Sequence, residues 1–209
     1  MRGYNSSHII QREDSMKIYY IMGKSCSGKT VLCDKLLKDT SLKLKPIITY
    51  TTRPRREREK DGVEYYFIND NQAKELLDSN KVIERRVYDT EYGKWSYMTV
   101  DDGQFEEGNK YIGIGTLESY RSMVLKFGTK VMVPIYIEAS PWTLLTRSIS
   151  RLSDNDNKGY MEACRRYLKD AVDYCDANLN KCGVHTRYNN DTTYGRAALV
   201  QIKTLIRKD

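Results

Sequence analysis

The residues from Gly23 to Thr30 have the types and the spacing of a phosphate-binding loop. The run Gly23, Lys24, Ser25, Cys26, Ser27, Gly28, Lys29, Thr30 matches the pattern G-x-x-x-x-G-K-[ST] in full. In such a loop the backbone N–H groups surround a phosphate, the lysine reaches the β- and γ-phosphates, and the last hydroxyl ligates Mg²⁺. We therefore predict that all eight residues bind ATP, that Lys29 is catalytic and that Thr30 holds the metal. The alternative is a glycine turn without a ligand.

A second segment, from Thr49 to Tyr65, resembles the nucleotide-binding signature of the guanylate kinases. It contains T-T-R-x-x-R-x-x-E followed by G-x-[DE]-Y. The resemblance extends from Met16 to the end of the chain, although outside the two motifs it depends on element order and isolated positions. It implies a parallel-sheet core that carries the P-loop, an inserted lobe that holds GMP, and a lid that closes over ATP.

The resemblance implies that Arg53, Arg56 and Tyr65 hold the phosphate of the acceptor, with Arg53 also catalytic. The chemistry of these side chains agrees, because forked guanidinium groups and a phenolic hydroxyl can fix a phosphate dianion in line with the donor. The alternative is a solvated loop in which Glu57 and Glu59 pair with the arginines.

For the acceptor base, the resemblance implies three further residues. Glu84 corresponds to the glutamate that accepts hydrogen bonds from guanine N1–H and N2–H, both of which are donors. Thr49 stands where the family has a base-contacting serine, and Tyr92 matches the tyrosine that closes over the nucleotide. The alternative for Glu84 is an ion pair at a strand edge with Arg85 or Arg86.

The sequence departs from the family pattern at two places. Lys94 replaces a serine that contacts guanine, so either Ser96 substitutes for that serine or the base pocket differs. Gly115 follows the strand that ends in an aspartate in the family, which leaves Thr116 and Glu118 as stand-ins for that carboxylate. These departures keep open a P-loop kinase with a different nucleotide or small-molecule acceptor.

The lid and the adenine site are expected near the C-terminal half of the chain. Arg151 and Arg166 match the two lid arginines of the family, with Arg147 and Arg165 as neighbours. Arginines carried by a closing lid stabilise the transferring phosphoryl group and exclude water. Ion pairs on a helix surface are the alternative. Asn190 resembles the asparagine that packs against adenine, although a helix cap is the ordinary role of such a segment.

The hydrophobic pattern predicts the elements that position these residues. Strand and helix patterns alternate on both sides of a Tyr-, Ile- and Val-rich region, which predicts a parallel α/β architecture. The predicted strands are 17–22, 110–114, 130–137 and 183–188, and the predicted helices are 30–39, 117–126, 142–152, 161–179 and 192–206.

The resulting fold class is a P-loop three-layer α/β/α fold with a central parallel sheet, an inserted small mixed α/β lobe and a short lid. We assign residues 16–46 and 101–209 to the kinase core, with the lid at about 152–160. Residues 47–100 form the lobe that binds the nucleoside monophosphate, and residues 1–15 are expected to be a disordered tail.

Composition excludes several other classes of protein. The 209 residues carry 35 Lys plus Arg against 28 Asp plus Glu, a net charge of +7, and 40% are hydrophobic, so the chain can bury a core. Five cysteines without a C-x-x-C pair and only two histidines argue against a disulfide framework, a His-based zinc site and a Ser-His-Asp triad. No run is apolar enough to span a bilayer, and no secretory signal is evident, which predicts a cytoplasmic location.

The function predicted from these features is Mg²⁺-dependent transfer of the γ-phosphoryl group of ATP to GMP or a related monophosphate, yielding ADP and GDP. The partners would be these nucleotides, without nucleic acid or membrane, and the protein would be a monomer or homodimer. Besides a kinase with another acceptor, a non-catalytic guanylate-kinase-like binding module remains an alternative. General nucleic-acid binding lacks an aromatic RNA-binding signature.

Overall fold

Two β-sheets of different kinds organise the chain. The computed structural model describes residues 16–90, 92–152, 156–191 and 195–209. In chain order, the helices and strands are β1 (Lys17–Gly23), α1 (Lys29–Leu37), β2 (Leu44–Pro46), β3 (Thr49–Thr51), β4 (Tyr65–Phe67), α2 (Asp70–Asp78), β5 (Val82–Thr90), β6 (Gly93–Val100), β7 (Lys110–Ile114), α3 (Leu117–Phe127), β8 (Met132–Glu138), α4 (Pro141–Ile149), α5 (Asn157–Asp173), α6 (Asp176–Lys181), β9 (Arg187–Asn189) and α7 (Gly195–Lys208).

The larger sheet is parallel throughout and has the strand order β2-β7-β1-β8-β9. Its central strand, β1, is buried on both faces, as its continuous apolar sequence predicts. Side chains Ile18, Tyr20 and Met22 pack in one core cluster with α3, whereas Tyr19 and Ile21 pack in another with α1 and α7. Helices therefore cover both faces, and the predicted three-layer α/β/α fold with a central parallel sheet is confirmed.

The smaller sheet is built from strands between residues 49 and 100, with the order β4-β3-β6-β5. Its β3–β4 pair is parallel, and its β3–β6 and β5–β6 pairs are antiparallel. Helix α2 begins with a capping box between Asn69 and Gln72 and contributes Ala73 to a small core with Met98 and Val100. This second, mixed sheet corresponds to the mixed lobe that the sequence predicts.

The prediction of one helix over residues 161–179 is wrong in detail. Two helices, α5 and α6, cover this region, because the backbone of Cys175 is extended and its neighbour Tyr174 is buried against Tyr136, with ring centroids 5.6 Å apart. Helix α5 also starts earlier than predicted, where the Asp156 side chain accepts a hydrogen bond from Gly159 N at 2.8 Å. Burial of the Tyr174 ring thus ends α5, although the helical spacing of apolar residues continues beyond it.

Three predicted features lie wholly or partly outside the described residues. They are the tail at 1–15, the lid positions 153–155 and the helix start at 192–194. Strand β2 was not predicted from the sequence, because its three residues are too few to show a period. Among the residues that the structure describes, no helix combines the length and the apolar character needed to cross a bilayer.

Candidate active site

One large cavity brings residues of both sheets together with residues of α5. Its volume is about 780 Å³. The P-loop contributes Gly23, Ser25, Lys29 and Thr30, the smaller sheet contributes residues that include Thr49, Tyr65 and Arg86, and α5 contributes Arg166 and Asp170. Lys29 and Thr30 of the predicted donor site therefore line the same space as Thr49 and Tyr65 of the predicted acceptor site, whereas Arg53 lines a second, smaller pocket.

The P-loop follows β1 and turns into α1 through backbone conformations that favour glycine. Gly23 has φ +150° and Gly28 has φ +94°, and Cys26 adopts the left-handed region at φ +63°. The structure leaves no room for larger residues at the two glycines. A Cβ at Gly23 would overlap the carbonyl oxygen of Ile137, and one at Gly28 would overlap Asn190 Nδ2. The loop is thus curled as phosphate binding requires.

Lys29 lies at the first position of α1 and its ammonium group folds back over the loop. Its Nζ donates to the carbonyl oxygens of Gly23 at 2.7 Å and of Lys24 at 2.8 Å. Burial lowers the Lys29 pKa to about 8; the negative charge of Asp170 opposes this shift, and the positive charge of Arg151 adds to it.

A carboxylate from α5 already uses one of the loop's donors. The backbone N–H of Ser25 donates to Asp170 Oδ2, and phosphate oxygens are the acceptors that such N–H groups bind in a nucleotide complex. Asp170 therefore contacts a loop N–H group that a phosphate oxygen could also use. The sequence gives no signal for this residue, because it is 145 positions away from Ser25 and belongs to no motif.

Two further side chains hold the loop from outside. Asn190 Nδ2 donates to the carbonyl oxygen of Ser27 at 2.7 Å. Arg147 Nη2 donates to the carbonyl oxygen of Asn190 at 2.9 Å, and its Nη1 donates to that of Cys26 at 3.3 Å. The structure thus places the predicted Asn190 at the P-loop. It also gives Arg147, considered only as a neighbour of the lid arginines, a direct contact with the loop.

Arg53, Tyr65 and Glu59 form one cluster in the smaller lobe. Arg53 Nη2 donates to both carboxylate oxygens of Glu59, at 2.8 and 2.9 Å, and the guanidinium lies 5.4 Å from the centroid of the Tyr65 ring. Glu59 also accepts from the backbone N–H of Arg56 at 2.9 Å. Arg53 therefore contacts Tyr65, whereas the Arg56 side chain is exposed. The pairing of Arg53 with Glu59 is the local ion pair that the sequence offers as an alternative to phosphate binding.

Glu84 is buried in an ion pair with Arg86. Arg86 Nε and Nη2 donate to the two carboxylate oxygens at 3.0 and 3.1 Å, and Thr99 Oγ1 donates to one of them at 2.7 Å. Arg85, the other partner considered, instead donates to Ser96 Oγ at 3.2 Å. Glu84 thus contacts Arg86 and Thr99, while Arg86 reaches the cavity.

Packing at the end of β7 leaves little room for a side chain at Gly115. A Cβ at Gly115 would overlap Tyr20 Oη and Ser119 Oγ, which are themselves joined by a buried hydrogen bond of 2.8 Å. Thr116, one of the two stand-ins considered, caps α3 by accepting from Ser119 N at 3.2 Å. Glu118 lines the cavity. The Tyr20 phenol therefore occupies the space that a side chain at this strand end would take.

The arginines of α5 are paired with one carboxylate. Glu162 accepts from Arg166 Nε at 2.6 Å and from Arg165 Nε at 2.9 Å, and it is buried beneath both. Tyr92 is exposed; partial desolvation and then the nearby Asp156 carboxylate at the start of α5 raise its pKa. Tyr92 of the lobe and Asp156 at the start of α5 are thus neighbours, and Arg166 lines the cavity.

The residues around Thr30 fit a magnesium ion that arrives with a nucleotide. Mg²⁺ prefers oxygen ligands and usually keeps water and phosphate oxygens, so one or two protein oxygens suffice. The Thr30 hydroxyl belongs to a residue that lines the cavity. Within the described residues, no three His, Cys, Asp or Glu side chains gather as a metal centre.

Comparison with known proteins identifies the family. The model of the family described as guanylate kinase matches residues 15–174. A guanylate kinase of Mycoplasmoides gallisepticum is 28% identical over 194 residues, covering 91% of this chain and 92% of its own length. A guanylate kinase of Chlamydia caviae is 27% identical over 143 residues, covering 68% of each chain.

A solved structure agrees with this result at the level of the fold. The crystal structure of guanylate kinase from Anaplasma phagocytophilum superimposes with a TM-score of 0.60 at 15% identity, covering 93% of this chain and 86% of the other. At that identity the likeness concerns the fold alone. Because the family model spans both the P-loop and the Arg53 segment, the chain belongs to the guanylate kinase family.

Proposed function

We propose that the chain catalyses transfer of the γ-phosphoryl group of ATP to GMP, giving ADP and GDP. The observation that carries this proposal is the shared cavity, which is lined both by the curled P-loop and by Thr49 and Tyr65 of the smaller sheet. Phosphoryl transfer makes little covalent demand on the protein and depends on positioning two phosphates in line. A cavity lined by residues of both predicted sites would allow that positioning.

ATP would occupy the end of the cavity formed by residues 23–30. Inward N–H groups of the loop and the Lys29 ammonium would contact its β- and γ-phosphates, and Thr30 would hold Mg²⁺, with Asn190 near the adenine. The bound metal neutralises charge on the phosphates as the γ-phosphoryl group moves. The hydrogen bonds from Asn190 and Arg147 to the loop support this assignment, because they fix the loop in its curled form.

GMP would occupy the end formed by the lobe at residues 47–100. Its phosphate would bind Arg53, Arg56 and Tyr65, with Tyr92 closing over the nucleotide and Thr49 next to the base. The stacking of Arg53 over Tyr65 supports a joint role for these two residues. Arg53 Nη2 donates to both carboxylate oxygens of Glu59 and Nη1 donates to the carbonyl oxygen of Pro54, so the guanidinium would be oriented before the ligand arrives.

The lid at about 152–160 would carry Arg151 and Arg166 to the transferring phosphoryl group. The remaining segments, 16–46 and 101–209, would form the core. Arg166 is paired with Glu162, so its approach to a phosphate requires a change of partner. Carboxylate and phosphate groups can both accept two hydrogen bonds from an arginine. The exchange would be favourable because the phosphate carries the larger negative charge. We place the protein in the cytoplasm, as a monomer or homodimer.

A coupled assay of ADP release with a panel of nucleoside monophosphates tests the proposed reaction. We expect turnover with GMP or dGMP and a loss of at least about 100-fold in kcat on Lys29→Met, because the lysine contacts the transferring group. Lys35→Met on the exposed face of α1 is the matched control and retains activity.

Two other functions remain as candidates and are separated by the same experiment. A kinase with another acceptor is favoured by Gly115, whose position has no room for the family's aspartate, and it would release ADP with a different monophosphate only. A non-catalytic binding module would release no ADP at all. Failure of Mg-ATP to bind in a Lys29-dependent manner would reject the kinase assignment altogether.

A further inference from the structure

The cavity is also lined by two helices that the proposed binding of ATP and GMP does not use. Helix α3 contributes Glu118 and Arg121, and α6 contributes Asn178 and Lys181, with Cys182 directly after it. We call these five residues the α3–α6 wall. The match to the family model ends before α6 begins, so the family match assigns no role to this part of the cavity.

Core packing and one side-chain amide hold the wall together. Leu179 of α6 belongs to the same buried cluster as Tyr120 of α3, and Cys182 packs against that cluster. Asn178 Nδ2 donates to the carbonyl oxygen of Val172 at 3.0 Å, which ties α6 to the end of α5. The wall is thus formed by two helices that share one core.

Arg121 and Lys181 are the positively charged members of the wall. Both are exposed, and neither side chain forms a hydrogen bond or an ion pair with a residue that the structure describes. Burial raises the pKa of the Cys182 thiol, and the charges of Arg121 and Lys181 oppose that shift, so both cations lie near the same thiol. Two unpaired cations that line one concave surface attract an anion.

The carboxylates near the wall are associated with a third cation. Asp173 lines the cavity and pairs with Lys169 at 2.9 Å. The hydrogen bond from Lys169 to Asp173, and to a smaller extent the charge of Glu118, raises the pKa of Lys169, so both carboxylates act on that lysine. At the end of β7, Gly115 stands where the guanylate kinase pattern has an aspartate, so that negative charge is absent. The two cations of the wall therefore keep their charge available.

We propose that Arg121 and Lys181 form a subsite for a phosphate group other than the two phosphates that meet in the proposed reaction. An arginine fork and a lysine ammonium on different helices can each bind some of the terminal oxygens of a phosphate. The group belongs either to a second substituent of the acceptor or to a separate effector. The subsite goes beyond the proposed function, because it binds an anion that is not transferred.

Isothermal titration calorimetry with inorganic phosphate tests the subsite on the full chain. We expect Arg121→Met and Lys181→Met each to raise Kd at least about tenfold, the loss of one hydrogen-bonding charged partner. Lys126→Met is the matched control and keeps Kd, because Lys126 lies on the same helix, pairs with Asp101 and is not among the residues that line the cavity. Lys29→Met weakens any binding of phosphate at the P-loop and should leave this Kd unchanged. Absence of phosphate binding, or its loss in Lys29→Met alone, overturns the subsite.

Alkylation by iodoacetamide, followed by mass spectrometry, gives a local measurement on the unaltered protein. Bound phosphate should slow alkylation of Cys182, because it neutralises the cations that favour the thiolate. Cys175, exposed at the start of α6, is the control and should react at an unchanged rate. Equal rates at Cys182 with and without phosphate would reject the subsite, even if Arg121→Met or Lys181→Met fails to fold.

Competition with nucleotides identifies the source of the phosphate group. If guanosine 3′,5′-bisphosphate displaces inorganic phosphate from the subsite and GMP does not, the acceptor carries the group. If neither displaces it, the group belongs to a separate effector. If GMP displaces it, the wall is part of the ordinary acceptor site and the inference is wrong. Absence of turnover with every purine monophosphate rejects the proposed function without changing the phosphate titration, so the two failures are distinguishable.

Discussion

At the scale of single residues, a carboxylate from α5 contacts the P-loop. The Asp170 carboxylate accepts a hydrogen bond from the Ser25 N–H, and its charge opposes the effect of burial on the Lys29 pKa. This contact pairs the N–H group and compensates the lysine charge. A phosphate group of ATP would use the same N–H donor, so we expect Asp170 and ATP to compete for it.

Replacing this carboxylate should strengthen nucleotide binding. We expect Asp170→Asn to raise the affinity for ATP about tenfold, because the variant removes both a competing acceptor and a like charge near the phosphates. Isothermal titration calorimetry with Mg-ATP, and with ATP in EDTA, measures the change. Asp173→Asn is the control, since Asp173 lies on the same helix and pairs with Lys169 at 2.9 Å. A weaker affinity for Mg-ATP in Asp170→Asn alone would instead make Asp170 a contributor to metal binding.

At the scale of elements, the loop between β3 and β4 depends on one carboxylate. Glu59 joins the Arg53 guanidinium to the backbone of Arg56, and both Arg53 and Glu59 are largely buried, with 5% and 15% of their side chains exposed. Burial makes this pair stronger than the exposed charges around it. The arginine-rich sequence thus forms a folded loop and not a solvated charged run.

Loss of this carboxylate should impair acceptor binding. We expect Glu59→Gln to raise KM for GMP about tenfold with a smaller change in kcat, because Arg53 loses the bidentate partner that orients it. Steady-state kinetics at saturating ATP checks the prediction. Glu57→Gln, at an exposed position two residues away, removes the same charge and should leave KM unchanged. Equal effects of the two variants would mean that only the net charge of the loop matters.

At the scale of the whole molecule, the P-loop is held by elements from the entire core. Its contacts come from Ile137 at the end of β8, from Arg147 on α4, from Asp170 on α5 and from Asn190 after β9. The loop can therefore keep its conformation only while the parallel sheet and its helices are assembled. A ligand that binds the loop should stabilise the folded state of the whole chain.

Thermal unfolding measures this linkage. Mg-ATP at about 100 times its Kd should add about 2.7 kcal/mol to the free energy of unfolding. For a chain of this size, that corresponds to a rise in Tm of roughly 5–10 °C. Lys29→Met should lose most of the shift, and Lys35→Met should keep it. An equal shift in Lys29→Met would indicate that ATP binds elsewhere on the protein.

Part of the net charge of +7 is located at the cavity. Among the residues that the structure describes, eight basic and four acidic side chains line it, and Lys29, Arg86 and Arg166 are among the basic ones. The Arg53 loop carries further basic side chains, most of them exposed outside the cavity. A positively charged lining suits the binding of phosphate groups.

The sequence by itself determined the P-loop, the order of most strands and helices, and the family. These features are local: a phosphate loop is a contiguous run of backbone, and a strand or helix follows from the period of its own apolar residues. The mixed lobe was predictable for the same reason. The break between α5 and α6 was not, because it depends on the packing of Tyr174 against Tyr136.

Only the tertiary structure decided which charged groups meet at the site. Sequence left the partner of Glu84 open, missed Asp170, and could not explain Gly115, whose space is filled by Tyr20 from a neighbouring strand. Some of these contacts join residues that are far apart in the chain. Others pair a charged group with one of several partners that the sequence alone makes equally plausible. They are determined by packing and burial, which fix distances and desolvation, and these quantities have no local signature in the sequence.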